Sequence, residues 1–352
     1  MNDAVPGVVA RRYRGDDGTT VGSERPGPHH HMPYHHMTFE RGMTMATLNG
    51  VQLFRDTDGE VAQLHGIGVQ RFGDRWYAYG EIKHDGNLFQ GVACYSTQDF
   101  ATWRNEGVAL PAGEPGTIIG PGRIVERPKV MRRPSDGRYV MYLHVDGEND
   151  YSYAHIGTAI ADRPEGPYEM LSTFQFRGYE SRDIGVFQDE DGTGYILSED
   201  RPHGTHIYRL SDDYLSVIED VACLRGTDYW AGYESPIMVK RDGVYYWFGS
   251  QLTGWDCNDN MFATATDLHG PWSDWKPFTP AGSKTFQSQC DIIVPLDGAA
   301  AGGDDWHATR FLYIGDRWNP DDLGNSELVT LPIAIGERQA TLEWHDEWDN
   351  TL

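Results

Sequence analysis

The sequence has few basic residues. Its 29 Lys and Arg stand against 53 Asp and Glu among 352 residues, which gives a formal net charge of -24. Proteins bind phosphate backbones through basic surfaces, and this acidic chain would repel a polyanion. The scarcity of positive charge therefore argues against nucleic acid as a partner and disfavours an anionic membrane surface.

Long apolar runs and cysteines are also scarce. No stretch approaches the roughly 18 uninterrupted apolar residues of a spanning helix, and the N-terminus lacks the apolar segment of a signal peptide. We therefore expect a cytoplasmic protein. The four cysteines form no CxxC pair, so we expect reduced, mostly buried thiols rather than a disulfide framework or a zinc site. They are Cys94, Cys223, Cys257 and Cys290.

Residues 1–45 differ from the rest of the chain because they are rich in Gly, Pro and charge and show little apolar periodicity. They include the run HHHMPYHHM at 29–37, whose imidazoles could bind a metal. We favour an extended N-terminal arm. Residues 46–352 contain most of the apolar and aromatic residues, which amount to 39% and 12% of the chain, and we expect them to form one domain.

From residue 46 onward helical periodicity is nearly absent and one pattern recurs. A turn glycine, usually after Asp, precedes an aromatic-rich apolar run. Such a turn before a β-branched or aromatic run predicts a hairpin, because glycine accepts the positive φ of the turn. The copies are GDRWYAYGE (73–81), DGRYVMYLH (136–144), DGTGYILSE (191–199), DGVYYWFGS (242–250) and the looser ATRFLYIGD (308–316).

A second pattern, a turn cluster before an aromatic or apolar residue, lies between these copies. It predicts an outer strand pair in each unit. Five units of roughly 50–65 residues favour an all-β, five-bladed β-propeller. A β-sandwich would explain the short strands but not the repeat. The segments of the second pattern are STQDFATW (96–103), IADRPEGPYE (160–169), LSDDYLSV (210–217) and TATDLHGPWSDW (264–275).

A propeller brings the inner strand of every blade to one axis, so carboxylates at similar points of different blades should converge. A single carboxylate would ordinarily be a solvated strand end or part of a structural ion pair, such as Asp183 with Arg182. Several together indicate function, since burying unpaired charges is costly. The candidates are Glu81, Glu126, Asp183 and Glu234.

Two carboxylic groups that flank a glycosidic bond are the requirement of sugar hydrolysis, with one group protonated and the other activating water. Aromatic residues near the same strand ends could supply platforms for sugar rings, although ordinary packing explains each one singly. These aromatic residues are Trp76, Tyr151, Trp230, Trp255 and Trp318.

The order and spacing of several motifs over residues 50–320 resemble glycoside hydrolase family 43, and within it the exo-β-1,3-galactanase (galactan 1,3-β-galactosidase) branch. The motifs are HGIG (65–68), YAYGE (77–81), ERPKV (126–130), YVMYLH (139–144), SRDIGVFQDEDG (181–192), ESPIMVKRDGVYYWFGSQLTGW (234–255), SQCDIIVP (288–295) and YIGDRW (313–318).

The resemblance implies catalytic roles for three residues. Glu234 matches the general acid, and Asp183 matches the carboxylate that tunes the pKa of the acid and orients the sugar. The wider family uses a first-blade Asp as general base, but LHGIGVQ (64–70) contains none. The galactanase branch shares this absence, and there a Ser-Gln glutamine, here Gln289, holds the water. A neutral amide is a poor base, so this role requires an imidic tautomer or a proton relay.

The resemblance also implies a set of sugar-binding residues. Glu81 and Glu126 match carboxylates that bind sugar hydroxyls, and either could replace the missing base. Asp291 is a further candidate base, although we expect its strand to point it away from Gln289. Weaker matches to the sugar pocket are Arg127, Tyr151, Thr253 and Trp255.

Together these observations predict an inverting exo-glycosidase that releases terminal galactose from β-1,3-linked galacto-oligosaccharides. The alternatives are the same fold acting as an α-L-arabinofuranosidase or β-xylosidase, and a sugar-binding propeller without turnover. We expect no cofactor and no metal, since DCNDN (256–260) lacks the spacing of a calcium loop and His65 and His144 are better explained as hydrogen-bonded structural histidines. The oligomeric state is left open.

Overall fold

The structure is a computed structural model that describes residues 45–84, 88–226, 231–297 and 308–350. The predicted N-terminal arm, with its histidine run, lies outside the described residues apart from its last position. The described chain begins with two short strands, β1 (Thr47–Asn49) and β2 (Val51–Gln52).

Five antiparallel sheets follow in sequence order, as predicted for a five-bladed propeller. Each of the first four sheets has four strands in meander order. The first blade contains β3 (His65–Phe72), β4 (Arg75–Glu81), β5 (Gly91–Thr97) and β6 (Arg104–Pro111). The second contains β7 (Arg123–Arg132), β8 (Tyr139–Glu148), β9 (His155–Ala161) and β10 (Glu169–Phe174).

The remaining blades repeat this arrangement. The third contains β11 (Ile184–Gln188), β12 (Gly194–Asp200), β13 (Gly204–Leu210) and β14 (Val217–Leu224). The fourth contains β15 (Glu234–Arg241), β16 (Val244–Ser250), β17 (Met261–Ala265) and β18 (Lys276–Pro277). The fifth is preceded by the turn α1 (Lys284–Gln287) and contains β19 (Gln289–Pro295), β20 (Phe311–Arg317), β21 (Glu327–Gly336) and β22 (Gln339–Leu342), with a 3-10 turn at Leu323–Asn325.

The two ends of the described chain close the ring. Strand β2 pairs with β21, so the fifth blade contains a strand from the start of the chain. Strand β1 pairs with the last strand, β23 (Glu347–Asp349). Because β2 lies before the first blade in sequence and is hydrogen-bonded into the fifth, it ties the start of the ring to its end.

The sequence repeat marks the second strand of every blade. Its five copies coincide with β4, β8, β12, β16 and β20. The turn glycines of the first four copies all have positive φ, from +68° at Gly73 to +83° at Gly192. The second pattern falls on the connections between the third and fourth strands, as predicted.

The core lies between adjacent blades. Aromatic side chains meet across these interfaces, including Phe72 against Tyr139 and Phe187 against Tyr245. All four cysteines are free, as predicted, but only Cys94 and Cys290 are fully buried. Among the described residues, no helix has the length and apolarity needed to cross a membrane.

Candidate active site

One cross-strand pair from each blade surrounds the same end of the central channel. The first residue of the pair lies at or near the start of the inner strand, and the second lies at or near the end of the next strand. Antiparallel pairing of these two strands places both at one edge of the sheet. The pairs are His65 with Glu81, Glu126 with His144, Asp183 with Glu199, Glu234 with Ser250, and Gln289 with Asp316.

Irregular backbone turns several of these side chains towards the channel. The residue that follows the inner-strand position has positive φ in three blades: Gly66 (+63°), Arg127 (+56°) and Ser235 (+50°). The pairing register also shifts there, as in a β-bulge. Bulges re-aim side chains and recur next to active sites. At Gly66 a Cβ would lie 2.3 Å from Glu81 Oε1, so a larger residue there would displace the Glu81 carboxylate.

A left-handed turn precedes Gln289. All four residues of α1, Lys284–Gln287, have φ between +49° and +60°, a conformation that is unfavourable for residues with a Cβ. Neighbouring groups hold it: Asp259 accepts hydrogen bonds from the Gly282 and Lys284 amides, and Thr285 Oγ1 accepts one from the Asn260 amide. Such strain persists only where its surroundings impose it. Here it fixes the backbone entry to Gln289.

The channel end forms a pocket of about 230 Å³. It contains eight of the nine predicted site residues, and only Thr253 is outside its lining. A larger cavity of about 360 Å³ lies at the opposite end of the inner strands, and none of these nine residues lines it. The pocket is lined by His65, Glu81, Glu126, Arg127, His144, Tyr151, Arg182, Asp183, Arg201, Glu234, Gly254, Trp255, Gln289 and Trp318.

Glu234 has the environment of a general acid. Burial, followed by the negative charge of Asp183, raises the pKa of Glu234 to about 8. Its Oε1 accepts a hydrogen bond from Arg201 Nη2 at 3.0 Å, and its Oε2 accepts one from Gln289 Nε2 at 3.1 Å. A carboxyl group with this pKa is protonated at neutral pH and can donate a proton. The influence of Asp183 has the predicted direction, although burial is the larger cause.

Arg127 is the central cation of the site rather than a free sugar ligand. Its guanidinium donates to Gln289 Oε1 and to Asp291 Oδ1, and its Nε lies 3.2 Å from Asp183 Oδ2. A further bond of 3.3 Å reaches Ser235 Oγ. Arg127 therefore orients the Gln289 amide so that Nε2 faces Glu234.

The expectation that Asp291 points away from Gln289 was wrong, because both side chains contact Arg127. Residues two apart in a strand share a face, and a register shift between Cys290 and Ile292 leaves Asp291 facing inward. Asp291 is fully buried and does not line the pocket. Burial raises its pKa to about 7, against the opposing effect of Arg127.

The two remaining carboxylates are held by cations. Glu81 Oε1 accepts from the Arg127 amide at 2.9 Å, and its Oε2 pairs with Lys83 at 2.9 Å. Glu126 accepts from Tyr151 at 3.1 Å and lies 3.2 Å from His144 Nδ1. Burial opposes its charge, but His144 outweighs burial and keeps the pKa of Glu126 well below its usual range. The pair of Asp183 with Arg182, considered from sequence, does not form: Asp183 pairs with Arg127, and Arg182 pairs with Asp146 and Glu180.

The aromatic residues divide between pocket and core. Tyr151, Trp255 and Trp318 line the pocket, and the rings of Trp255 and Trp318 meet edge to face at 5.8 Å. Trp76 does not line the pocket: its side chain is buried in the core, which is the ordinary packing favoured from the sequence for each of these residues singly. Trp230 lies outside the described residues. Thr253 is exposed beside the pocket, and its hydroxyl accepts a hydrogen bond from Asn258 at 2.8 Å within its own loop.

Sequence reasoning missed Glu199, Arg201 and Asp316. Asp316 lies 2.5 Å from His65 Nδ1, and Glu199 and Arg201 flank Glu234. The sequence contained a signal for two of them. Glu199 and Asp316 are the last residues of their copies of the repeat, as Glu81 and His144 are of theirs. In the structure this last position lies at the edge of the channel.

Only one possible metal cluster occurs among the described residues: Glu126, His144 and Asp183 offer ligand atoms within 4.8 Å of one another. His144 fits this role poorly, because its Nδ1 faces Glu126 at 3.2 Å and its Nε2 faces Asp146 at 2.8 Å. Burial disfavours its charge, but these two carboxylates outweigh that effect and raise the pKa of His144 to about 9. A protonated imidazole has no lone pair for a metal.

Residues 67–292 match the family model described as glycosyl hydrolases family 43. The matched region includes nearly all of the inner strands of the first four blades. It also contains Asp183, Glu234 and Gln289. The chain belongs to this family. The resemblance stated from the motifs is confirmed.

Solved structures of family 43 support the same assignment. A candidate exo-β-1,3-galactanase from Bifidobacterium bifidum s17 is 60% identical, with 85% of this chain and 97% of that chain covered and a TM-score of 0.81. The exo-β-1,3-galactanase of Phanerochaete chrysosporium, solved as a glutamate-to-glutamine variant with β-1,3-galactotriose, is 32% identical. The match covers 86% of this chain and 68% of that chain, with a TM-score of 0.77.

A curated relative of this chain has a different sugar in its name. The β-D-galactofuranosidase of Aspergillus niger is 30% identical over 218 residues, which cover 57% of this chain. The matched region spans only 61% of the length of that protein.

For this family 43 enzyme, Asp183→Asn is expected to shift the alkaline limb of the pH profile to lower pH. The substitution removes the negative charge that helps to raise the pKa of Glu234, so the acid loses its proton at lower pH. The measurement is kcat/KM against pH from 4 to 10 with β-1,3-galactobiose. An unchanged alkaline limb would contradict the influence of Asp183 on Glu234.

Proposed function

We propose that this protein is an inverting exo-β-1,3-galactanase that removes terminal galactose from β-1,3-linked galacto-oligosaccharides. The observation that carries the proposal is Glu234, a buried carboxyl group with its pKa raised to about 8, in contact with the Gln289 amide inside an aromatic-edged pocket. Two similarities support β-1,3-galactan as the substrate: 60% identity to the Bifidobacterium protein and 32% identity to the fungal enzyme solved with β-1,3-galactotriose.

In this proposal Glu234 protonates the glycosidic oxygen while water attacks the opposite face of the sugar. Inverting enzymes separate their acid from the water-activating group by about 6.5–9.5 Å. Glu234 Oε2 and Gln289 Nε2 are 3.1 Å apart, so their direct contact leaves no room for the reacting carbon. We therefore expect the terminal galactose to enter between these two side chains and to replace their hydrogen bond.

The attacking water needs one group to hold it and one group to accept its proton. Gln289 presents Nε2 to the pocket because Arg127 holds its Oε1, so in this orientation it is a donor. A proton acceptor must then come from an amide tautomer or from a neighbouring carboxylate. Glu126 lines the pocket and is ionised at neutral pH, since His144 lowers its pKa. We propose that Gln289 positions the water and that the Glu126 carboxylate accepts its proton.

The test is incubation with β-1,3-galactobiose and β-1,3-galactotriose, with the released anomer followed by proton NMR. The proposal predicts that α-galactose appears first and equilibrates later. Early β-galactose would show that the anomeric configuration is retained and would overturn inversion. Binding of galactobiose without release of galactose would show that the protein is a sugar-binding propeller without turnover. A second test uses a panel of aryl glycosides. Release of sugar only from the α-L-arabinofuranoside or the β-D-xyloside would show that the enzyme is an arabinofuranosidase or a xylosidase instead. The panel also includes a β-D-galactofuranoside, because the Aspergillus relative is named for that activity.

A further inference from the structure

Arg201 bridges Glu199 and the proposed acid. It follows directly after β12 in the third blade, and its Nη2 lies 3.0 Å from Glu234 Oε1. Its Nε lies 3.3 Å from Glu199 Oε1. The Glu199 side chain is fully buried, whereas the Arg201 side chain is 32% exposed at the pocket. One guanidinium therefore links a pocket carboxyl group to a buried one.

Glu199 does not line the pocket. Its Oε2 is buried and has no hydrogen-bond partner within the described part of the chain. The protein thus places a carboxyl group against Arg201 at the cost of an unsatisfied oxygen, which ordinarily destabilises a fold. The backbone of Gly232 leaves room for this carboxyl group, because a Cβ at that position would lie 2.9 Å from Glu199 Oε1. This arrangement indicates that Glu199 serves to hold Arg201.

We propose that Arg201, anchored by Glu199, is a positioning residue that orients the Glu234 carboxyl group and stabilises the carboxylate that remains after proton donation. This inference rests on the proposed function. During the reaction the proton of Glu234 passes to the leaving oxygen and the anomeric carbon–oxygen bond breaks. Water adds to the anomeric carbon and passes one proton to the Glu126 carboxylate, which lines the same pocket. Glu234 is left as a buried anion, which would be costly without a partner, and the guanidinium at 3.0 Å is that partner.

The charged groups with the largest effects on Glu234 come from the second and third blades. Asp183 and Glu199 are negative, whereas Arg201 and Arg127 are positive, and these four are the charges that act on its ionisation. Negative neighbours favour the protonated acid and positive neighbours favour its anion. Removal of Arg201 and removal of Glu199 should therefore move the pH dependence in opposite directions.

The experiment compares Arg201→Gln, Arg201→Lys and Glu199→Gln. For β-1,3-galactobiose, whose leaving sugar needs a proton, Arg201→Gln is expected to lower kcat by about 10-fold to 100-fold, within the range of general acid effects. Its alkaline limb should move to higher pH, whereas that of Glu199→Gln should move to lower pH. With 2,4-dinitrophenyl β-D-galactoside, which leaves without protonation, the loss in Arg201→Gln should be less than about threefold. Arg201→Lys should restore part of the activity.

The matched control is Arg209→Gln. Arg209 and Glu219 form an exposed pair at 2.7 Å on the same blade, so its loss should change neither kcat nor the pH profile. Equal losses on both substrates with an unmoved alkaline limb would overturn the positioning role of Arg201. A wild-type protein that releases no galactose from either substrate would instead overturn the proposed function. Circular dichroism shows whether Glu199→Gln keeps the wild-type fold. If it does, a moved alkaline limb reflects the changed protonation of Glu234 and not misfolding.

Discussion

Glu234→Gln is expected to lower kcat for β-1,3-galactobiose by about 10²–10⁴-fold, the usual contribution of a general acid. The glutamine keeps the size of the side chain and can still hydrogen-bond to Gln289, but it has no proton to donate to the leaving sugar. KM should change much less than kcat, because the sugar contacts supplied by the other residues of the pocket are retained.

Comparison of substrates identifies the step that is lost. The measurement is kcat for galactobiose and for 2,4-dinitrophenyl β-D-galactoside with wild type and Glu234→Gln. The dinitrophenyl substrate should retain most of its rate, since its leaving group needs no proton. Arg209→Gln controls for general effects of changing a charged side chain. Near-normal turnover of galactobiose by Glu234→Gln would remove Glu234 from the acid role.

The acid works near neutral pH because of its surroundings. Its pKa of about 8 leaves most of the Glu234 population protonated at pH 7, and activity should fall as the pH rises through that value. The adjacent Glu199, whose pKa burial raises to about 7, loses its proton first. The negative charge of Glu199 then raises the pKa of Glu234, so ionisation of Glu199 helps to keep Glu234 protonated.

The blades could be predicted from the sequence because each copy of the repeat contains its own hairpin signal. Gly73, Gly137, Gly192 and Gly243 each mark a turn by local backbone chemistry, and they all have positive φ in the structure. The position of the predicted carboxylates near one axis follows from that repeat. Sequence alone therefore sufficed where local turn chemistry and periodicity determine the structure.

The contacts within the site could not be predicted in the same way. The Arg127 amide and guanidinium contact side chains that are 46 to 164 residues away in sequence, and no local pattern indicates which of the other four blades they will contact. Its own φ of +56° is unusual for arginine, and the left-handed turn before Gln289 has no glycine to indicate it. These conformations are imposed by tertiary contacts, which override local preference.

The buried charges explain why one arginine should matter to folding. Arg127 contacts Asp183 and Asp291, whose side chains are 12% and 0% exposed. Arg127→Met is therefore expected to lower the free energy of unfolding by about 3–5 kcal/mol, the cost of removing one partner from a buried ion pair. Urea unfolding monitored by tryptophan fluorescence measures this change. Arg133→Met is the matched control: its side chain is also 10% exposed, but its partner Asp136 is 40% exposed and can be hydrated.

The pH dependence of that loss tests its electrostatic origin. Without Arg127, Asp291 loses the charge that opposes the effect of burial, so its pKa should rise above the present value of about 7. A carboxyl group with a raised pKa in the folded state costs nothing below its unfolded pKa and more as the pH rises. The deficit of Arg127→Met should therefore be larger at pH 8 than at pH 5, and adding Asp291→Asn should recover part of it at pH 8. A deficit equal at both pH values and unchanged by Asp291→Asn would mean that Arg127 stabilises the propeller through packing rather than charge.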